Sequence, residues 1–93
     1  MYEFNNFEWN EEKQAITLDL RGLDFADSWI IFEDEFALTL ESNQNDEVRY
    51  KTIGKLNEKL IVIIHAPRAG NCRIISMRRA RKNEEDMYND ENI

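Results

Sequence analysis

The sequence predicts an α+β domain with element order β-α-α-β-β-β-β-α, an antiparallel sheet with a helical hairpin packed on one face. Three observations predict it. Between residues 16 and 32, apolar side chains recur at helical spacing: Ile16, Leu20 and Leu23, then Phe25, Trp29 and Phe32. From residue 36 onward come four strand-like segments, of which FALTLE and VRYKTIG show the period of two expected of strands and LIVIIH is apolar throughout. The connections between those segments are short, which favours antiparallel neighbours.

Each element has a local cause. The aromatic start, YEFNNFEW, suits a short strand over residues 4 to 9. Asn10 offers an N-cap, and Glu11 and Glu12 follow where carboxylates favour the positive end of a helix. Gly22 ends that helix in a left-handed conformation that side-chain-bearing residues find costly. Asp24 caps a second helix, which the acidic trio Glu33, Asp34 and Glu35 terminates at its unfavourable end. The four later strands are FALTLE (36 to 41), VRYKTIG (48 to 54), LIVIIH (60 to 65) and RIISMR (73 to 78). LIVIIH is apolar on both faces and reads as a central strand. SNQND, KLNEK and APRAGN turn the chain between them, with Pro67 and Gly70 as breakers in the last. A polar helix runs from Arg79 to about Tyr88. Residues 1 to 88 are expected to be a single domain and residues 89 to 93 a flexible acidic tail.

Composition excludes several function classes. No apolar run approaches the roughly 20 residues that a membrane helix needs. The start of the chain lacks the basic-then-apolar plan of a signal peptide. Cys72 is the only cysteine, so no internal disulfide forms. Expected is a cytoplasmic protein with no membrane association. There is no His/Cys cluster with metal-ligand spacing and no glycine-rich phosphate loop, so no cofactor and no metal site is expected.

Charge carries the functional signal. The formal net charge of −7 hides strong segregation. Residues 1 to 48 sum to −11, residues 49 to 82 to +9, and residues 83 to 93 to −5. A basic block inside an acidic chain points to a local binding face, with internal ion pairing as the alternative. Arg49 and Lys51 share one side of their strand, because side chains repeat every two residues. Arg73 opens the last strand and Arg78 closes it, on opposite pleats if the alternation is regular. Guanidinium forks fit phosphate oxygens, and Tyr50 and Tyr88 offer stacking surfaces for unpaired bases. Tyr50, however, reads more readily as core. His65, the only histidine, is a candidate acid–base group or a satisfied structural one. Trp9 and Trp29 read as core, and Cys72 as an incidental turn residue.

FEWNEEK (7 to 13), RGLDF (21 to 25) and RIISMRRA (73 to 80) together carry a resemblance. They resemble the BrnT toxins of bacterial type II toxin–antitoxin systems. That family reads approximately F-E-W-D-x-x-K, N-x-x-K-H-G-[VI]-x-F, E-R-Y-x-T-I-G and R-I-I-S-A-R-x-A, followed by a helix with Glu and Tyr. The matches include Phe7, Glu8, Trp9, Lys13, Gly22, Phe25, Glu47, Arg49, Tyr50, Thr52, Ile53 and Gly54. They continue through Arg73, Ile74, Ile75, Ser76, Arg78, Ala80, Glu84 and Tyr88. The resemblance implies a RelE/ParE-like fold and a metal-independent ribonuclease that cuts RNA and inhibits translation and growth. It implies neutralisation by a BrnA-like ribbon-helix-helix antitoxin, and contact with operator DNA only through that antitoxin. On the matching positions it makes Arg49, Arg73 and Arg78 the catalytic phosphate-binding residues, with Glu84 and Tyr88 as proton-transfer candidates. Lys13, Arg21, Lys51 and Arg79 are candidate RNA contacts. Three departures stand out: Asn10 replaces an Asp, Thr17 an Asn, and Leu20-Arg21 a Lys-His pair. Loss of that histidine keeps an alternative open, a catalytically inactive toxin-like protein that binds antitoxin or acts as a co-repressor module.

Overall fold

The computed structural model describes residues 1–91. Its element order is β1 (Phe7–Trp9), α1 (Glu11–Arg21), a 3-10 turn (Phe25–Asp27), α2 (Ser28–Phe32), β2 (Leu38–Glu41), β3 (Tyr50–Leu56), β4 (Lys59–Arg68), β5 (Asn71–Arg79) and α3 (Lys82–Glu91). The class is α+β, as expected. The first strand is shorter than residues 4 to 9, because Tyr2 and Phe4 pack on the core without joining the ladder. Helix α3 includes residues 89 to 91 of the expected tail; residues 92 and 93 lie outside the described residues.

The five strands form one sheet in the order β1-β5-β4-β3-β2. It is mixed rather than wholly antiparallel, since β1 runs parallel to β5 while the other pairs are antiparallel. A parallel neighbour needs a long crossover. Here the entire chain between Trp9 and Asn71 supplies it, a relation that short local connections do not reveal. LIVIIH is central as expected, and its strand is longer, running to Arg68.

Alternation along β4 divides the core. Ile61 and Ile63 join Leu23, Phe25, Ile31, Ile74 and Met77 on one face. Val62 joins Ile53 and Tyr88 on the other, flanked by Leu38, Leu40, Leu60 and Met87. Helix α2 therefore covers the first face and α3 the second, so the helices do not share a face. Gly54 sets how closely α2 approaches β3. A Cβ at this position would lie 2.8 Å from both the Ile31 side chain and its carbonyl oxygen.

The expected helical hairpin is only half realised. Asn10 caps α1 as anticipated, accepting from the Lys13 N–H at 2.9 Å, and Gly22 ends it at φ 68°. None of the residues of α1 is buried, however, and Ile16 and Leu20 are 49% and 75% exposed. The second helix breaks into the 3-10 turn and the five residues of α2, and Trp29 is exposed rather than core. Of the predicted stripe, Leu23 and Phe25 are buried and Phe32 packs against the same core; Ile31, outside the stripe, is buried with them. Cys72 is buried within β5 opposite Pro67, not in a turn.

Candidate nucleic-acid interface

Register decides which basic residues share a face. Arg73 pairs with Ala66, and Arg78 pairs with Val62. Both partners lie on the same side of β4, as even-numbered residues of one regular strand. The pairing advances by one residue on β4, Ile64 to His65, where β5 advances by two, Ser76 to Ile74. Ile75 is thus the extra residue of a β-bulge. The bulge brings Arg73 and Arg78 to the same side, where unbroken alternation would put them on opposite pleats. Lys51 pairs with Ile64 and belongs to this side too, as does Arg49 two residues before it. The α3-bearing face therefore carries Arg49, Lys51, Arg73 and Arg78.

These cations form two groups. In the first, Arg78 grips Glu84 bidentately, Nη1 to Oε1 at 2.7 Å and Nη2 to Oε2 at 2.9 Å. Lys51 Nζ reaches Glu84 Oε2 at 3.0 Å, and the Arg81 N–H donates to Oε1 at 2.8 Å. Glu84 stands in the first turn of α3, and its carboxylate closes back on the residue before the helix, half of a capping box. The carboxylate is buried. The Arg78 guanidinium is the main reason that Glu84 is held at about 2; the Arg81 N–H and Lys51 help, against the opposing effect of burial. Arg78 is raised in turn by the same bond.

In the second group, Arg49 and Arg73 line one shallow cleft of 450 Å³, together with Glu47, Ala66, Arg68 and Ile75. Arg73 Nη1 donates to Glu8 Oε2 at 3.0 Å, and Arg49 Nη2 donates to Glu47 Oε2 at 2.9 Å. Gln44 Oε1 accepts a further bond from Arg49 Nη1 at 3.2 Å. Arg49 Nε is buried with no hydrogen-bond partner among the described residues.

The other acid–base candidates, Tyr88 and His65, are buried on opposite faces of the sheet. Tyr88 is buried, and its hydroxyl donates to Asp34 Oδ2 at 2.7 Å. Burial, reinforced by that carboxylate, pushes Tyr88 up to about 12. Burial opposes ionisation of Asp34, but bonds from the Phe36 N–H, Tyr88 and the Lys55 N–H outweigh it and hold its carboxyl below the usual range. His65 is fully buried, with the Tyr2 hydroxyl 2.6 Å from Nδ1 and the Thr52 hydroxyl 2.8 Å from Nε2. Burial pushes it down to about 4, so it is neutral near pH 7. Tyr50 stacks on its ring at 5.9 Å and 21°.

A family model described as "Ribonuclease toxin, BrnT, of type II toxin-antitoxin system" matches residues 9–84. The chain belongs to this BrnT toxin family. A search of curated proteins found no match. The match runs from the last residue of β1 to the first turn of α3, and so includes the cations of both groups. No helix among the described residues is long and apolar enough to cross a membrane.

Within this BrnT-family chain, the remaining sequence-derived candidates are dispersed. Lys13 is exposed on α1, away from both cation groups in hydrogen bonding. Arg21 Nη1 donates to the Met77 carbonyl at 2.8 Å, which ties the end of α1 to β5. Arg79 pairs with Ile61, and by register takes the opposite side from Arg78. Sequence reasoning missed Arg68, placing it in a turn because of Pro67. Two-residue alternation through Val62, Ile64 and Ala66 reaches Arg68, and would have assigned it to the basic face.

Proposed function

We propose that this chain is a metal-independent endoribonuclease toxin that cuts RNA by attack of a ribose 2′-oxygen on the adjacent phosphorus. The P–O2′ bond forms and the P–O5′ bond breaks, leaving a 2′,3′-cyclic phosphate and a 5′-hydroxyl. The proton lost from the 2′-hydroxyl and the one gained by the 5′-oxygen exchange with water. The observation that carries this reading is the bulge at Ile75, which sets Arg73 and Arg78 on the same side as Arg49 and Lys51. Fixed guanidinium groups stabilise the charge that builds on the phosphoryl oxygens in the transition state. Arg73 and Arg78 flank the scissile phosphate, and Arg49 and Lys51 hold the strand on the β3 side. Glu84 serves as the anchor that fixes Arg78 and Lys51, since a carboxylate held at about 2 is a weak base at neutral pH. Tyr88 and His65 support the fold rather than move protons.

The partner in this reading is a BrnA-like ribbon-helix-helix antitoxin, through which operator DNA is contacted. The deciding assay uses antitoxin-free protein, a defined RNA and EDTA. Cleavage to cyclic-phosphate ends, lost in folded Arg73→Ala and Arg78→Ala, is the expected result. Intact RNA after prolonged incubation with wild-type protein would refute it. In that event, binding to an antitoxin and its operator without cleavage would favour the co-repressor reading.

A further inference from the structure

The cleft shared by Arg49, Arg68 and Arg73 contains an imbalance of charge. Arg49 and Arg73 each have a carboxylate at 2.9 or 3.0 Å. Arg68 is exposed and has no ion pair or hydrogen bond among the described residues. The Arg49 side chain lines the same cleft. An anionic oxygen in the cleft would meet the unpaired guanidinium of Arg68.

Backbone geometry fixes where Arg68 stands. It closes β4 opposite Asn71, across a two-residue turn whose Ala69 and Gly70 have φ of 51° and 81°. That turn is the tight type that matches strand twist, so it places the arginine firmly. Along β4, Val62 marks the level of Arg78 and Ala66 the level of Arg73. At about 3.3 Å per residue, those levels are roughly 13 Å apart, and Arg68 is roughly 7 Å further out. A phosphate between Arg73 and Arg78 is therefore not the one that Arg68 meets.

We propose that Arg68 binds a second phosphodiester of the RNA, next to the scissile one, so that the strand runs along β4 and β5. This rests on the ribonuclease reading and adds the direction of the bound strand. Arg68 is a substrate-binding residue, not a catalytic one. It acts on affinity and KM and leaves kcat at saturating RNA unchanged.

The test measures binding of a fluorescein-labelled 2′-O-methyl hexanucleotide, which cannot be cleaved, to antitoxin-free protein across a series of salt concentrations. Arg68→Ala should raise Kd about three- to ten-fold and reduce the salt slope by about 0.7, the value for one lost contact to a single strand. Arg68→Lys should keep the slope, because it keeps the charge. Lys59→Ala, an exposed cation at the far end of β4, should change neither. A 2′-O-methyl dinucleotide with a single phosphate should bind wild-type and Arg68→Ala equally. If wild-type and Arg68→Ala bind the hexanucleotide with the same Kd and slope, the inference about Arg68 is wrong while the ribonuclease reading stands. If wild-type protein binds no RNA at all, both are wrong. Circular dichroism of each variant confirms that the comparison is made between folded chains.

Discussion

Replacing Glu84 by Gln keeps the side-chain volume and removes the charge that two cations and one backbone N–H converge on. In the folded chain the carboxyl is lowered from 4.5 to about 2. At about 1.4 kcal/mol per pKa unit, this corresponds to about 3 kcal/mol of stability at pH 7. The figure agrees with the ~3–5 kcal/mol that follows from removing one partner of a buried ion pair. The folded value is the lower one, so this stabilisation is complete above 4.5, the unfolded value, and is lost as pH falls through about 2. Urea unfolding should therefore show Glu84→Gln destabilised by about 3 kcal/mol at pH 7, a midpoint shift of about 1–3 M. At pH 3 the difference should shrink to about 1 kcal/mol, because the unfolded wild-type chain is then largely protonated. A gap below about 0.5 kcal/mol at pH 7, or one that does not change between pH 7 and pH 3, would show that Glu84 does not hold this cluster together.

Three further outcomes are expected. The His65 ring resonances should not titrate between pH 8 and about 5.5, because burial favours the neutral ring. Its contribution is present above 6.5 and is lost as pH falls toward about 4, worth about 3 kcal/mol in total, and an ordinary titration near 6.5 would contradict its burial. Gly54→Ala should lower stability by about 1–3 kcal/mol, since the new methyl meets α2, and an unchanged Tm would mean that α2 can move away freely. Tyr88→Phe should cost about 1.5–3 kcal/mol through loss of the bond to Asp34, with kcat for RNA cleavage retained. A collapse of kcat in a stable Tyr88→Phe variant would instead return Tyr88 to proton transfer.

What could be read from the sequence followed from short-range periodicity. Strands β2 to β5 and both caps of α1 are written in spacing and in Asn10 and Gly22, because those features depend on neighbours a few residues away. The parallel pairing of Phe7–Trp9 with Cys72–Ile74 was invisible, since it joins segments more than sixty residues apart with no turn to mark it. Helical spacing in α1 promised burial of Ile16 and Leu20, but periodicity gives a stripe and not the surface it meets. Among the basic residues, Arg49 and Lys51 were paired correctly by parity. Arg73 and Arg78 were assigned to opposite pleats because parity assumes a regular strand, and RIISMR contains no glycine to announce its bulge. Glu84 was legible as a motif residue, while its buried position beneath Arg78 emerged only once α3 had been laid across the sheet.

The bulge also makes the shared side of Arg73 and Arg78 depend on a local irregularity rather than on their spacing. They stand five residues apart, an odd separation, and the extra residue Ile75 restores the parity. Deleting Ile75 would leave them four apart in a regular strand, still opposite Ala66 and Val62 and still on one side. Flattening the bulge with the residue retained would instead turn over everything on its N-terminal side: Arg73 would leave the cleft and Ile74 would enter it, with no charged residue altered. Among related chains, a one-residue gap at this point would therefore leave the surface chemistry unchanged, although the spacing of the two arginines would differ.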